Sequence, residues 1–189
     1  MADETNEKLP EPEEKSSFRL ELYDWMQCLV SALVVCILIF AFIGRVISVD
    51  GNSMNPTLLN SDKIIISNLF YSPKQGDIVV LTKKAFSSEP IVKRVIATEG
   101  QTVDINFDTG EVSVDGVVLD EPYINETTHR QLDMTFPVTV DEGCIFVMGD
   151  NRNRSTDSRD STIGCVDTRC VLGRVYNIIL PISRFGLVK

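Results

Sequence analysis

TVDINFDTGEVSVDGVVL, Thr102 to Leu119, alternates apolar and polar residues in two successive runs, each closed by a turn signal. Val103, Ile105 and Phe107 fall on one side of an extended chain, because side chains of a strand point to opposite faces at every step. Asp108-Thr109-Gly110 interrupts the run, and Val112 and Val114 resume the alternation. Asp115-Gly116 is then the dipeptide favoured by a two-residue hairpin turn, before Val117 to Leu119. Further out, Lys63 to Ser67 (KIIIS), Asp77 to Thr82 (DIVVLT), Ile91 to Ala97 (IVKRVIA), Cys144 to Met148 (CIFVM) and Cys170 to Leu180 read as strands. Residues 45 to 189 have almost no helical periodicity. The prediction is a mainly β protein, whose all-β domain folds as a barrel or a sandwich.

The first 44 residues are of a different kind. Residues 1 to 24 hold eight acids against three bases, so −5 of the net charge of −9 lies there. Dense charge with few apolar residues predicts a disordered tail. Trp25 to Gly44, WMQCLVSALVVCILIFAFIG, has no charged residue and is long enough to cross roughly 30 Å of hydrocarbon. Its acidic upstream flank and its length favour a retained anchor over a cleaved signal segment. The division is therefore a tail over 1–24, a transmembrane helix over 25–44 and a β domain over 45–189.

Several function classes drop out. No basic patch is present for nucleic acid. With one histidine, His129, and three cysteines beyond the span (Cys144, Cys165 and Cys170), no tight metal-ligand spacing occurs, so neither metal nor cofactor is expected. Cys165 and Cys170 are the closest cysteine pair, and whether they form a disulfide stays open.

Ser53, in GNSMNPTLL, raises the question of chemistry. A serine hydroxyl needs a general base within hydrogen-bond reach to act as a nucleophile. His129 lies in the polar segment NETTHRQLD, which reads as an exposed loop. Lysine serves if neutral, yet in water roughly one lysine in 2,500 is neutral at pH 7. Burial lowers its pKa. Lys93 is the lysine set in an apolar strand, between Ile91, Val92, Val95 and Ile96. Alternation puts it on the side of Ile91 and Val95 and turns Arg94 to the other, so one of these two cations faces the core.

SMNPTL (Ser53 to Leu58), QGD (Gln75 to Asp77), KRV (Lys93 to Val95) and GDNRNRSTDSR (Gly149 to Arg159) occur in that order. This pattern resembles the bacterial type I signal peptidases, most closely the compact Gram-positive type with a single N-terminal anchor. The resemblance covers the anchor and nearly all of the β domain. It implies Ser53 as nucleophile and Lys93 as general base of a Ser/Lys dyad. Ser155 would hydrogen-bond Lys93, Asp157 and Arg159 would form a supporting ion pair, and Asp150, Asn151 and Arg152 would brace the same loop. Gly51 stands where some members carry a serine that donates to the oxyanion, so the Ser53 backbone N–H needs another donor beside it.

Ser53 follows the end of the span by nine positions, at most about 30 Å of extended chain. A substrate cut there is itself held near the bilayer. Secretory pre-proteins fit, with an apolar segment in the membrane and a small-residue cleavage site outside it. The peptide would add as a strand near Val49 to Gly51 and Ile91 to Lys93. Val49, Met54, Leu58, Ile91 and Val92 are the expected pocket walls, sized for alanine. The implied location is the cytoplasmic membrane, single-pass, with the tail cytoplasmic and the catalytic domain outside. Two other readings compete: a Ser/Lys peptidase that matures one dedicated partner, and an anchored β module that binds peptides without cutting them.

Overall fold

The computed structural model describes residues 14–42, 44–82 and 89–188. The first thirteen residues of the acidic tail, and Lys83, Lys84 and Lys189, lie outside the described residues. The chain divides into an N-terminal helical unit and a β unit.

The helix, α1, runs from Glu14 to Phe42. It begins eleven residues earlier than the boundary at Trp25, so the last part of the expected disordered tail is helical. The reason is local: after Pro12 the chain has no proline or glycine until Gly44, and Glu14, Lys15, Arg19, Leu20, Glu21 and Leu22 are good helix formers. Among the described residues the stretch long and apolar enough to cross a membrane is Phe18–Leu38, and none of it is buried. Leu29, Val30, Leu33, Val34 and Ile37 all stand exposed. A helix apolar on all sides is suited to a lipid surrounding rather than to one packed face.

Among the described residues the β unit has twelve strands: β1 (Arg45–Ser48), β2 (Lys63–Ser67), β3 (Ile78–Leu81), β4 (Ile91–Thr98), β5 (Thr102–Asn106), β6 (Glu111–Val114), β7 (Val117–Val118), β8 (Val138–Thr139), β9 (Cys144–Met148), β10 (Val166–Asp167), β11 (Val171–Leu180) and β12 (Gly186–Leu187). They form two antiparallel sheets. The larger has the order β1-β2-β11-β3-β4-β9-β10, with β12 added to β11, and the smaller has the order β7-β6-β5-β8. The hairpin that opened the sequence reading is the heart of the small sheet. Val103 pairs with Val114 and Ile105 with Val112. Asp115 and Gly116 both take positive φ, 53° and 79°, which the two-residue turn requires.

The apolar pattern of each strand reports how many of its faces are covered. Ile64 and Ile66 of β2 are buried while their neighbours are half-buried, so one face is covered. In β3 all four residues are buried, with Ile78 and Val80 in one core cluster and Val79 and Leu81 in another. CIFVM divides likewise: Ile145 and Val147 on one side, Phe146 and Met148 on the other, where they meet the small sheet's Val103, Ile105, Val112 and Val114. Unbroken apolar runs mark the strands sandwiched on both faces. β4 is such a strand, and this corrects the reading that only one of its cations faces inward. Lys93 and Arg94 are both buried.

Candidate active site

Ser53 lies in the turn between β1 and β2. Two residues anchor that turn: Met54 and Leu58 are fully buried in the core beneath it, and the Leu58 N–H donates to the Met54 carbonyl at 2.9 Å. A second loop, which leaves β9 at Gly149, grips it from the side. The Asn151 N–H donates to the Ser53 carbonyl at 3.0 Å, and the Asn151 side-chain amide donates to the Asn52 carbonyl at 2.9 Å. Thr57 donates to Asp150 at 2.5 Å. Gly149 is needed where the loops meet, since a Cβ there would collide with Ser155 Oγ and the Ser53 carbonyl.

β4 brings Lys93 to this turn. Its Nζ lies 2.8 Å from Ser53 Oγ, and the side chain is 4 % exposed. Burial pushes its pKa down to about 8; the Asp157 carboxylate opposes this, the Arg159 guanidinium reinforces it, and Asp150 opposes it more weakly. No carboxylate touches the amine within ion-pair distance among the described residues, so desolvation outweighs the more distant attraction of Asp157 and Asp150.

The charges around it are handled differently. Arg94 makes two bonds of 2.8 Å to Asp150, donates to the Gly76 carbonyl, and stacks 3.8 Å from the centre of the Tyr123 ring. Arg159 grips Asp157 with bonds of 2.8 and 2.9 Å, and also donates to the Arg152 and Arg130 carbonyls. Burial alone would raise the Asp157 pKa; the Arg159 bonds and charge and the Gly149 N–H hold it below the usual range. Arg152 forks onto Glu121 and donates to Thr128 Oγ1. Asp150, Asn151 and Arg152 thus each hold a different part of the frame: β4, the serine turn, and the 121–128 segment.

Two expectations are corrected. Ser155 makes no hydrogen bond to Lys93; its Oγ is buried with no partner among the described residues. The Ser155 side chain points at the Gly149 backbone instead. Leu58 does not line a surface pocket, because it is wholly buried in the core. His129 is exposed and bound to Thr127, the Phe107 carbonyl and Asn153, with no bond to Ser53.

Beside Ser53 and Lys93 opens a cleft of about 170 Å³, walled by Val49, Met54, Ile91 and Val92 and bordered by Asp50 and Glu89. Gly51 is absent from the lining; it is exposed, with φ of 88°, and its N–H donates to the Asn60 side chain. The cleft lies between two strand edges. β1 is terminal in its sheet. β4 is an inner strand, but β9 pairs with it only from Arg94 onward, so Ile91 to Lys93 have a neighbour on the β3 side alone. Sequence reasoning missed Ile47, Ser48, Glu89 and Pro90 in the lining. The one signal for the first two was the alternation in RVIS, Arg45 to Ser48, too short to read as a strand by itself. Among the described residues no cysteine forms a disulfide.

Comparison with known proteins shows the family of the chain. The family described as "Signal peptidase, peptidase S26" matches residues 22–180. The signal peptidase I of Bacillus licheniformis is 35 % identical over 182 residues, 90 % of this chain and 96 % of that protein. The probable signal peptidase I-1 of a Synechocystis species is 35 % identical over 168 residues, 84 % of this chain and 82 % of its own. A crystal structure of a signal peptidase I from Enterococcus faecalis is 32 % identical, with a TM-score of 0.46, over 55 % of this chain and 97 % of that one. A buried amine against a turn serine, on a mainly β frame with one apolar N-terminal helix, is thus found in a chain that belongs to the signal peptidase family, peptidase S26, and is a serine endopeptidase.

Proposed function

We propose that this chain cleaves signal peptides from secretory pre-proteins after a small-x-small site of the Ala-x-Ala kind, with Ser53 as nucleophile and Lys93 as general base. The observation that carries the reading is the 2.8 Å approach of the Lys93 amine to Ser53 Oγ in a site where burial favours the neutral amine. Neutral Lys93 accepts the Ser53 proton as Oγ bonds to the scissile carbonyl carbon. The ammonium then returns that proton to the departing amine as the peptide C–N bond breaks, leaving an ester on Ser53. Water, deprotonated by the same amine, attacks the ester; the acid leaves and Ser53 regains its proton. The Ser53 backbone N–H serves as one donor to the oxyanion, and since Gly51 has no side chain to offer, a second donor has to come from elsewhere.

The pocket assignments follow from strand addition. A peptide laid between the β1 and β4 edges alternates its side chains, so every second residue enters the cleft near Val49, Met54, Ile91 and Val92. A volume of about 170 Å³ shared among such positions suits alanine and excludes large side chains. Ser155 takes the part of positioning residue: once Ser53 Oγ has bonded to substrate, the Lys93 amine is released toward the hydroxyl that lacks a partner. Asp157 and Arg159 hold the loop that carries it.

The setting is the cytoplasmic membrane, crossed once by α1, with the N-terminus inside and the β unit outside. Ser53 is close in sequence to the span, and a signal peptide occupies the same bilayer. The test is incubation of the full chain in detergent with a peptide spanning an Ala-x-Ala junction. Mass spectrometry should show a single cut after the second alanine. An intact peptide, or a cut elsewhere, overturns the reading. Protease added to intact spheroplasts should digest the β unit; digestion of the N-terminal tail alone overturns the orientation.

A further inference from the structure

The cleft has a chemical polarity that its apolar walls do not express. Asp50 stands at its border, exposed, with no ion pair among the described residues. Its place on the open edge is set by its neighbours. The Val49 N–H donates to the Asp62 carbonyl at 2.8 Å, and the Val49 carbonyl accepts from the Ser61 N–H at 2.8 Å. The Gly51 N–H turns the same way, to Asn60 at 3.0 Å. Peptide groups of an extended strand alternate sides, so the Asp50 N–H and C=O face away from that turn, toward the cleft. Side chains alternate as well: Val49 is buried beneath the edge, and Asp50 stands on the solvent side.

A peptide strand that bonds to the Asp50 backbone sets one residue opposite it, on the same face. That residue's two neighbours point down, into the apolar walls. In a small-x-small site the two small residues occupy those walls, so x lies alongside the Asp50 carboxylate. Glu89 adds a second carboxylate to the lining, and Lys93, buried, is the one cation among the described lining residues.

We infer that Asp50 is a specificity-determining residue that favours a lysine or arginine at the middle position of the cleavage site and disfavours an acid there. The inference rests on the peptidase reading above and deepens it by naming a substrate class. Exposed charge pairs of this kind change a rate constant by roughly two- to fivefold, and salt screens them.

The test uses the full chain in neutral detergent with three peptides that differ only at x, in Ala-Lys-Ala, Ala-Gln-Ala and Ala-Glu-Ala. The quantity read is the ratio of kcat/KM values within one protein, so a general loss of activity does not enter. The wild-type chain should cut the lysine peptide roughly two- to fivefold faster than the glutamine one at low salt, and the glutamate peptide slower by a similar factor. In Asp50→Asn both ratios should approach one, as they should for wild type in high salt. Equal rates for the three peptides overturn the inference while leaving the peptidase reading standing. A lysine preference kept in Asp50→Asn but lost in Glu89→Gln overturns the assignment to Asp50. Failure to cut the glutamine peptide overturns the peptidase reading and this inference together.

Discussion

Lys93 and Arg94 are adjacent on β4 and equally buried, yet the fold treats them in opposite ways. Arg94 has a carboxylate fork, a backbone carbonyl and an aromatic face. Lys93 has one hydroxyl. The contrast extends through the site. On the frame side, Arg94–Asp150, Arg152–Glu121 and Arg159–Asp157 are each matched. On the Ser53 side, among the described residues, no carboxylate pairs with the amine and the Ser155 hydroxyl has no hydrogen-bond partner. Buried ion pairs seldom raise stability above what an apolar core would give, but they resist disruption, because removing one partner strands the other. Rigid, matched charges therefore hold a corner whose own polar groups are left unmatched and so reactive. Unmatched burial is how an amine becomes a base near neutral pH.

The comparison breaks first, and most severely, at the dyad. Ser53→Ala should abolish cleavage. Lys93→Arg should lower kcat/KM by about a thousandfold or more, because a guanidinium cannot give up its proton although the charge is kept. Substantial turnover in Lys93→Arg, measured on an Ala-x-Ala peptide, would remove Lys93 as base. In the wild type, kcat/KM should rise about tenfold per pH unit and level off above about pH 8, where the buried amine loses its proton.

Next comes the matched side. Asp150→Ala leaves the Arg94 guanidinium buried without its carboxylate, and should cost about 3–5 kcal/mol in thermal or denaturant unfolding. A loss of under about 1 kcal/mol would show that the frame does not depend on the pair.

The unmatched side should respond in the reverse direction. The unfolded Lys93 titrates near 10.5 and the folded one near 8. Between those values the unfolded chain holds more protons, so wild-type stability should increase with pH across that window. At pH 7 the full cost of charging the buried amine, about 3 kcal/mol, is present. Lys93→Met has no such cost and should be more stable at pH 7 by up to that amount, an advantage that shrinks as pH rises from 8 to 10.5. The smallest change is Ser155→Ala: a gain of about 1 kcal/mol from removing an unpartnered hydroxyl, with turnover slowed. A loss of stability there would mean that the hydroxyl has a partner in solution.

Much of this was legible before any coordinates. The alternation in Thr102 to Leu119 gave the small sheet's hairpin and its turn, and Ser53, Lys93 and the Gly149–Arg159 loop announced themselves by motif order. What stayed hidden had physical causes. β1, β8, β10 and β12 are two to four residues long, too short for a period to show. Lys93 and Arg94 could not both be seen as buried, because alternation assigns one face inward and cannot report that both faces of β4 are covered. Glu121 and Tyr123 carry no local signal. Their importance comes from Arg152 and Arg94, brought to them by long-range contacts. The Ser155 hydroxyl was assigned to Lys93 by resemblance, and a rotamer decides that question rather than a sequence.

The β4 edge at Ile91 to Lys93 is open for only three residues, and it lies with the Asp50 edge on one narrow cleft. A folded sheet has nowhere to dock there, since its neighbouring strands would strike the walls. A single extended thread can enter. The same brevity spares a folded protein that meets the site. The enzyme thereby tells a leader still unravelled from a domain already built without reading the identity of either.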